Sequence, residues 1–232
     1  MKAFFVTGTD TGVGKTTVST ALLAAASQRG LRTACMKPVE SGCKQTLDGR
    51  LLPVDATELA AVASMKQDLE AVCLYRFAAP VAPGVAAERA GRTIDFELVK
   101  RRFSTLIAMK PDFLLVEGAG GLLVPMGAGR MIADLIALLQ IPMLVVARPG
   151  LGTINHTLLT IAVARQHRLD VAGLVFSCQE PDGEPLVTSN VREITRASQV
   201  RYLGCLPHLS ARTLTALAEA AERSLECSFL MG

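Results

Sequence analysis

The segment Gly8-Thr9-Asp10-Thr11-Gly12-Val13-Gly14-Lys15-Thr16-Thr17 follows the apolar run Phe4-Phe5-Val6 and leads into a helical pattern. A glycine-rich turn between a strand and a helix is a phosphate cradle, and few folds accommodate one. Glycine lets the backbone curl until consecutive N–H groups face a single anion. The following helix adds its positive end. Lys15 supplies a mobile charge for the β- and γ-phosphates, and the Thr16 hydroxyl can ligate Mg²⁺. The spacing is irregular. The usual Gly-x4-Gly-Lys-Thr would put glycine at position 9. That position is Thr9, and the first glycine is Gly8.

The rest of the chain alternates strand and helix patterns. Strands are expected at 2–7, 32–37, 113–116, 143–147, 171–176 and 201–206. Helices are expected at 15–28, 55–64, 95–109, 131–139, 153–167, 188–198 and 212–225. Segment 72–77 reads as a short strand or extended stretch, and 78–84, with Pro80, Pro83 and Gly84, as loop. Phe113–Val116 and Met143–Ala147 are apolar without alternation, the pattern of parallel strands buried on both faces. The expected fold is a doubly wound, mainly parallel α/β sheet flanked by helices, P-loop NTPase-like, with residues 1–232 as a single domain. Half of the residues are hydrophobic, ample for one sizeable core. The 24 basic and 21 acidic residues form no basic stripe, so nucleic acid is not an expected partner. No secretory leader or membrane span is read. Six cysteines without a Cys-x-x-Cys pair read as free thiols of a reducing cytosol, so a cytoplasmic protein is expected.

Ligands of such sheets bind beyond the carboxyl ends of the strands. Phe113–Val116 runs into Glu117-Gly118-Ala119-Gly120-Gly121. A P-loop fold holds Mg²⁺ with a carboxylate at such a strand end, opposite the loop hydroxyl. Met36-Lys37-Pro38-Val39-Glu40-Ser41-Gly42 puts a lysine at another strand end. That lysine must leave the apolar sheet, either as a second cation facing the phosphates or as a surface residue with a buried stem. Asp55 opens a helix, as an ordinary N-cap does. Arg148-Pro149-Gly150-Leu151-Gly152-Thr153-Ile154-Asn155-His156 opens another. Its first turn can offer N–H groups to an anion such as a carboxylate, or Thr153 can simply cap it. His156, His167 and His208 lack metal spacing.

In combination these segments resemble dethiobiotin synthetase, in that family's order and over most of the chain. The matching residues are Gly8-Thr9-Asp10-Thr11-x-Val13-Gly14-Lys15-Thr16, Lys37-Pro38-Val39-x-Ser41-Gly42, the Asp55 helix start, Val116-Glu117-Gly118-Ala119-Gly120-Gly121 and Gly152-x-Ile154-Asn155-His156. The shifted first glycine is that family's form of the loop. The resemblance implies an ATP-dependent enzyme of biotin synthesis acting on 7,8-diaminononanoate and CO₂ or bicarbonate. It implies Lys37, Lys15 and Thr11 as catalytic residues, and Mg²⁺ at Thr16, Asp55 and Glu117. ATP would lie against Gly12, Val13, Gly14, Lys15, Thr16 and Thr17, with Asp55, Glu117, Gly118, Ala119 and Gly120. Its base and ribose would lie against Ser177, Cys178, Pro207, His208 and Leu209. The diamine would meet Thr11, Lys37 and Ser41, its carboxylate meeting Gly152, Thr153, Ile154 and Asn155 across a homodimer interface.

The chain departs from that family at three places. Gly12 stands where an acidic residue is common, Ser177 where many relatives place an asparagine that reads adenine, and Arg212 near an expected acidic ribose contact. A looser nucleotide preference is expected from the last two. The competing reading is a partitioning or septum-placing ATPase switch of the deviant P-loop class. That class carries a lysine at the place of Asp10. It also carries a basic amphipathic membrane helix, whereas the C-terminal helix here bears Glu219, Glu222 and Glu226.

Overall fold

A computed structural model describes residues 1–179 and 187–232. The first half runs β1 (Lys2–Gly8), α1 (Lys15–Gln28), β2 (Thr33–Met36), β3 (Val39–Ser41), β4 (Lys44–Gln45), β5 (Leu51–Leu52), α2 (Val54–Val62), α3 (Leu69–Val72), β6 (Tyr75–Phe77), α4 (Pro83–Arg89) and α5 (Phe96–Ala108). The second runs β7 (Phe113–Glu117), β8 (Pro125–Gly127), β9 (Arg130–Met131), α6 (Ile132–Leu139), β10 (Met143–Ala147), α7 (Thr153–Gln166), β11 (Val171–Ser177), α8 (Val187–Ser198), β12 (Tyr202–Leu206), α9 (Leu214–Ser224) and α10 (Cys227–Met231).

Six strands form one sheet in the order β12-β11-β10-β1-β7-β2, with every pairing parallel. β1 lies inside, Phe5 facing Met143 on one neighbour and Val116 on the other. Alternate residues feed two cores. Phe5, Met36, Val116, Val145 and Phe176 enter the core that includes α5 and α6. Phe4, Val6, Leu115, Val146 and Val175 enter the one shared with α1 and α9. That alternation is why the strands carry no polar face, and why helices cover both sides. β2 and β7 lie on one side of β1 and β10 to β12 on the other, so the chain reverses direction at β1 and opens a crevice beyond it.

The segment expected as loop at 78–84 differs from that reading. Pro83 is the first residue of α4, where a missing N–H costs nothing. Gly84 is needed inside this helix because a Cβ there would stand 2.5 Å from the Gly127 nitrogen. Segment 72–77 divides into the end of α3 and β6, which pairs with β3. Ser41 ends β3.

Candidate active site

β1, β2 and β7 end at one edge, and each hands the chain to a polar residue there. The loop after β1 delivers α1 with Gly14 as N-cap, at φ 95°, with no side-chain cap and no acidic residue in the first turn. Its N–H donors are therefore unclaimed by side chains, as anion binding needs. A Cβ on Gly14 would collide with the Gln179 amide and the Ser177 hydroxyl. Lys15 is buried and donates to the Asp10 carbonyl at 3.1 Å. Burial, then the nearby Lys37 charge, pulls its pKa down to about 8 against the pull of Glu117 and Asp55.

Lys37 follows β2 and is 3% exposed. Its ammonium donates to Glu117 Oε1 at 2.6 Å and to Asp55 Oδ2 at 2.7 Å. Burial disfavours the charge, but the two carboxylates outweigh it and hold the group above the ordinary lysine value. Burial likewise works to raise Asp55, and Lys37 outweighs it, keeping this carboxyl below its usual range. Asp55 is not the N-cap expected of it. Pro53 holds that position, and Asp55 sits inside the first turn of α2.

Glu117 is fully buried at the end of β7. Its Oε1 also accepts from Thr16 Oγ1 at 2.9 Å, while its buried Oε2 has no partner among the described residues. A buried carboxylate oxygen without a donor is costly unless a ligand satisfies it. Among the described residues no three His, Cys, Asp or Glu side chains form a metal cluster. Mg²⁺ does not require one, since it takes one or two carboxylates and completes its shell with phosphate and water oxygens. The hard oxygens of Thr16, Asp55 and Glu117 fit that ion.

Lys15, Thr16, Lys37 and Asp55 border a cleft of about 550 Å³, which Glu117 reaches only through its bonds to Lys37 and Thr16. Gly12, Gly14, Thr17, Gln179 and Arg212 line it beside α1. Glu40, Ser41, residues 80–83 and Val124 line it toward β3, with Thr11, Ala119 and Gly120 also in the wall. Arg212, noted in the sequence as out of place, reaches this wall. It donates to Thr17 Oγ1 at 2.9 Å and to Glu58 Oε2 at 3.2 Å. Ser177 is buried behind Gln179, whose amide donates to its hydroxyl at 2.8 Å.

Other expected residues lie apart. Val13 packs into the core, and Gly118 is buried at the strand end. Cys178 and Thr153 line a second hollow of about 250 Å³, with Thr9, Asp10, Arg148 and His156. Gly152, Ile154, Asn155, Pro207, His208 and Leu209 line neither hollow. His208 Nδ1 instead shares a hydrogen bond with the Gln179 carbonyl at 2.9 Å. Thr153 does not cap α7. Gly152 is the N-cap, and the Thr153 hydroxyl lies 3.4 Å from that of Thr157. Gln179 and Glu40 also reach the cleft and are not among the residues expected there. The first stands two residues past a strand end and the second inside the Lys37–Gly42 motif, so position alone could have marked both.

A parallel sheet, an uncapped glycine-rich helix start, two lysines and a hydroxyl–carboxylate pair define a P-loop protein that handles nucleotide phosphates. A family model described as an AAA domain matches residues 2–214. The ATP-dependent dethiobiotin synthetase BioD of Anaeromyxobacter sp. (strain K) is 45% identical over 89% of this chain and 90% of its own. Its namesake from Thermodesulfovibrio yellowstonii is 36% identical over 100% and 99%. That of Bacillus cereus (strain B4264) is 37% identical over 99% and 93%. The chain belongs to the dethiobiotin synthetase family. Among solved structures, the MinC:MinD cell division protein complex of Aquifex aeolicus superposes with a TM-score of 0.56 at 14% identity, covering 95% of this chain and 86% of that one. That likeness extends to the fold alone.

Proposed function

We propose that this chain is an ATP-dependent dethiobiotin synthetase, working as one domain over its whole length. The observation that carries the reading is the buried Lys37 ammonium, held between Glu117 and Asp55 at the wall of the phosphate cleft. One amine of 7,8-diaminononanoate takes up CO₂ and loses a proton, giving a carbamate. A carbamate oxygen attacks the γ-phosphorus of ATP, and ADP leaves. The second amine then attacks the carbonyl of the mixed anhydride, the C–O bond to phosphate breaks, and the ureido ring closes with loss of a proton.

The difficult step joins two anions, and the cations of the cleft act on it. Lys15 turns from the Asp10 carbonyl to the β- and γ-phosphates. Lys37 meets the carbamate and the transferred phosphoryl group. Thr11 and Ser41 hydrogen-bond the reacting end of the diamine. Thr16, Asp55 and Glu117 would hold Mg²⁺, which supplies charge neutralisation and a template for phosphate oxygens when bound. The start of α7 receives the substrate carboxylate from a second copy of the chain in a homodimer. The uncapped first turn and the exposed Leu151 support that arrangement. Among the described residues no helix is long and apolar enough to cross a membrane, in keeping with a cytoplasmic enzyme.

Incubation with diaminononanoate, bicarbonate, Mg²⁺ and ATP, followed by mass spectrometry, tests the reading. Dethiobiotin should form with one phosphate per ring. ATP turnover without the ureido product rejects the proposal.

A further inference from the structure

Helix α2 carries Asp55 to the cleft, yet it has no cap of its own. Its N-cap is Pro53, whose side chain offers no acceptor, and no side-chain cap bond is made there. The orphan donors of the first turn go to a residue distant in sequence. Glu40, on β3, accepts from the Asp55 nitrogen at 3.1 Å and from the Ala56 nitrogen at 3.0 Å. Glu40 is 6% exposed and forms part of the cleft wall. An N-cap acceptor normally takes these same donors. Here the cap is supplied by the strand that follows Lys37.

The consequence concerns Asp55. Its side chain is 40% exposed, so packing alone does not fix it. It is fixed at both ends by residues three apart in sequence, its carboxylate by Lys37 and its backbone by Glu40. We propose that Glu40 is a positioning residue for the reaction, setting the Asp55 carboxylate in register with Lys37, Thr16 and Glu117 before nucleotide arrives. The proposal rests on the functional reading above and deepens it.

Glu40→Ala, Glu40→Gln and the double variant Glu40→Ala/Pro53→Ser test it on the full chain. The alanine variant leaves two N–H groups without their acceptor, whereas glutamine keeps one acceptor oxygen. Loss of an outer partner of a metal ligand commonly costs about 10–100-fold in activity or metal affinity, and a kcat loss in that range is expected for Glu40→Ala. Glu40→Gln should fall between it and the parent, and stands in for it if the alanine variant does not fold. KM for diaminononanoate should stay unchanged. A second measurement omits the diamine altogether. ADP affinity, measured by calorimetry in EDTA, should match the parent's, while the gain on adding Mg²⁺ should shrink in the variants. Serine at position 53 restores a local cap and should recover most of both losses.

Three results overturn the proposal. Normal kcat and Mg²⁺ response with a lowered melting temperature would make Glu40 a cap and nothing more. A raised KM for the diamine at unchanged kcat would make it a substrate contact. Failure of the serine to rescue a variant that folds would show that it does not act through α2. The parent chain is assayed alongside. If it forms no dethiobiotin, the functional reading fails, and the ADP titrations still decide the role of Glu40.

Discussion

The phosphate end of the cleft and the start of α7 are built on opposite plans. At the first, Lys37 and Glu117 are buried, Asp55 and Thr16 join them through hydrogen bonds of 2.6 to 2.9 Å, and the buried Glu117 Oε2 has no partner among the described residues. At the second, Leu151 is 99% exposed, Leu159 is 56% exposed, and Arg148 and His156 also face solvent. Both places end in an uncapped helix start. One is walled in by this chain. The other has donors and apolar surface that no described residue covers, and exposed apolar surface beside a polar hollow marks a contact face. On the reading proposed here, the difference teaches that phosphate chemistry is assembled within one copy, whereas the carboxylate end of the substrate waits for another.

The comparison breaks most visibly at Lys37. Lys37→Ala should lower turnover by roughly three orders of magnitude in single-turnover phosphate release, because a preorganised charge is lost where charge develops. It also leaves the buried Glu117 without its charged partner, at a cost of about 3–5 kcal/mol in a denaturant melt. Near-normal turnover would remove the role assigned to this residue. Leu151→Asp probes the other region. Sedimentation should show a monomer, and KM for diaminononanoate should rise at least about tenfold while ATP affinity holds. A monomer with unchanged substrate affinity would show that α7 needs no cover.

Lys15 provides a pH test. Its pKa in the folded chain is about 8, against 10.5 as reference, so burial favours the neutral amine. Between those values the unfolded chain binds more protons, and this group makes stability rise with pH. Phosphate needs the charged form, so nucleotide affinity should fall above about pH 8, by up to roughly tenfold per unit, with proton uptake on binding. Calorimetry at pH 9 in two buffers of different ionisation enthalpy measures that uptake, and none would contradict the placement of Lys15. The smallest effect is expected at the base. The Ser177 hydroxyl is buried and engaged by Gln179. Rates with ATP, CTP and GTP should then lie within about tenfold of one another, far below the discrimination a dedicated hydrogen-bonding pocket gives. A strong ATP preference would show that another residue reads the base.

The strands were legible because burial on both faces leaves an unbroken apolar run, and the site because the polar residues at their ends stand out against it. Lys15, Thr16, Lys37 and Glu117 could be placed in this way, since strand and loop fix where they emerge. Asp55 could not be placed by residue type, because the cap that orients it comes from Glu40, fifteen residues earlier. α4 was hidden by Pro83 and Gly84, which read as loop punctuation until the close passage of Gly127 gives the glycine a reason. Arg212 looked like a misplaced charge. Its partners, Thr17 and Glu58, lie far away in sequence, and no local pattern announces them.

Helix α1 is buried along most of its length, Val18 and Ala21 through Ala26 being wholly inaccessible and enclosed with α2, α9 and α10. The amide hydrogens of this buried stretch should therefore exchange mainly through large-scale opening, which hydrogen exchange read by mass spectrometry would show. The N–H groups at the start of α1, which no side chain caps, should exchange well before that stretch does, and bound phosphate should slow them.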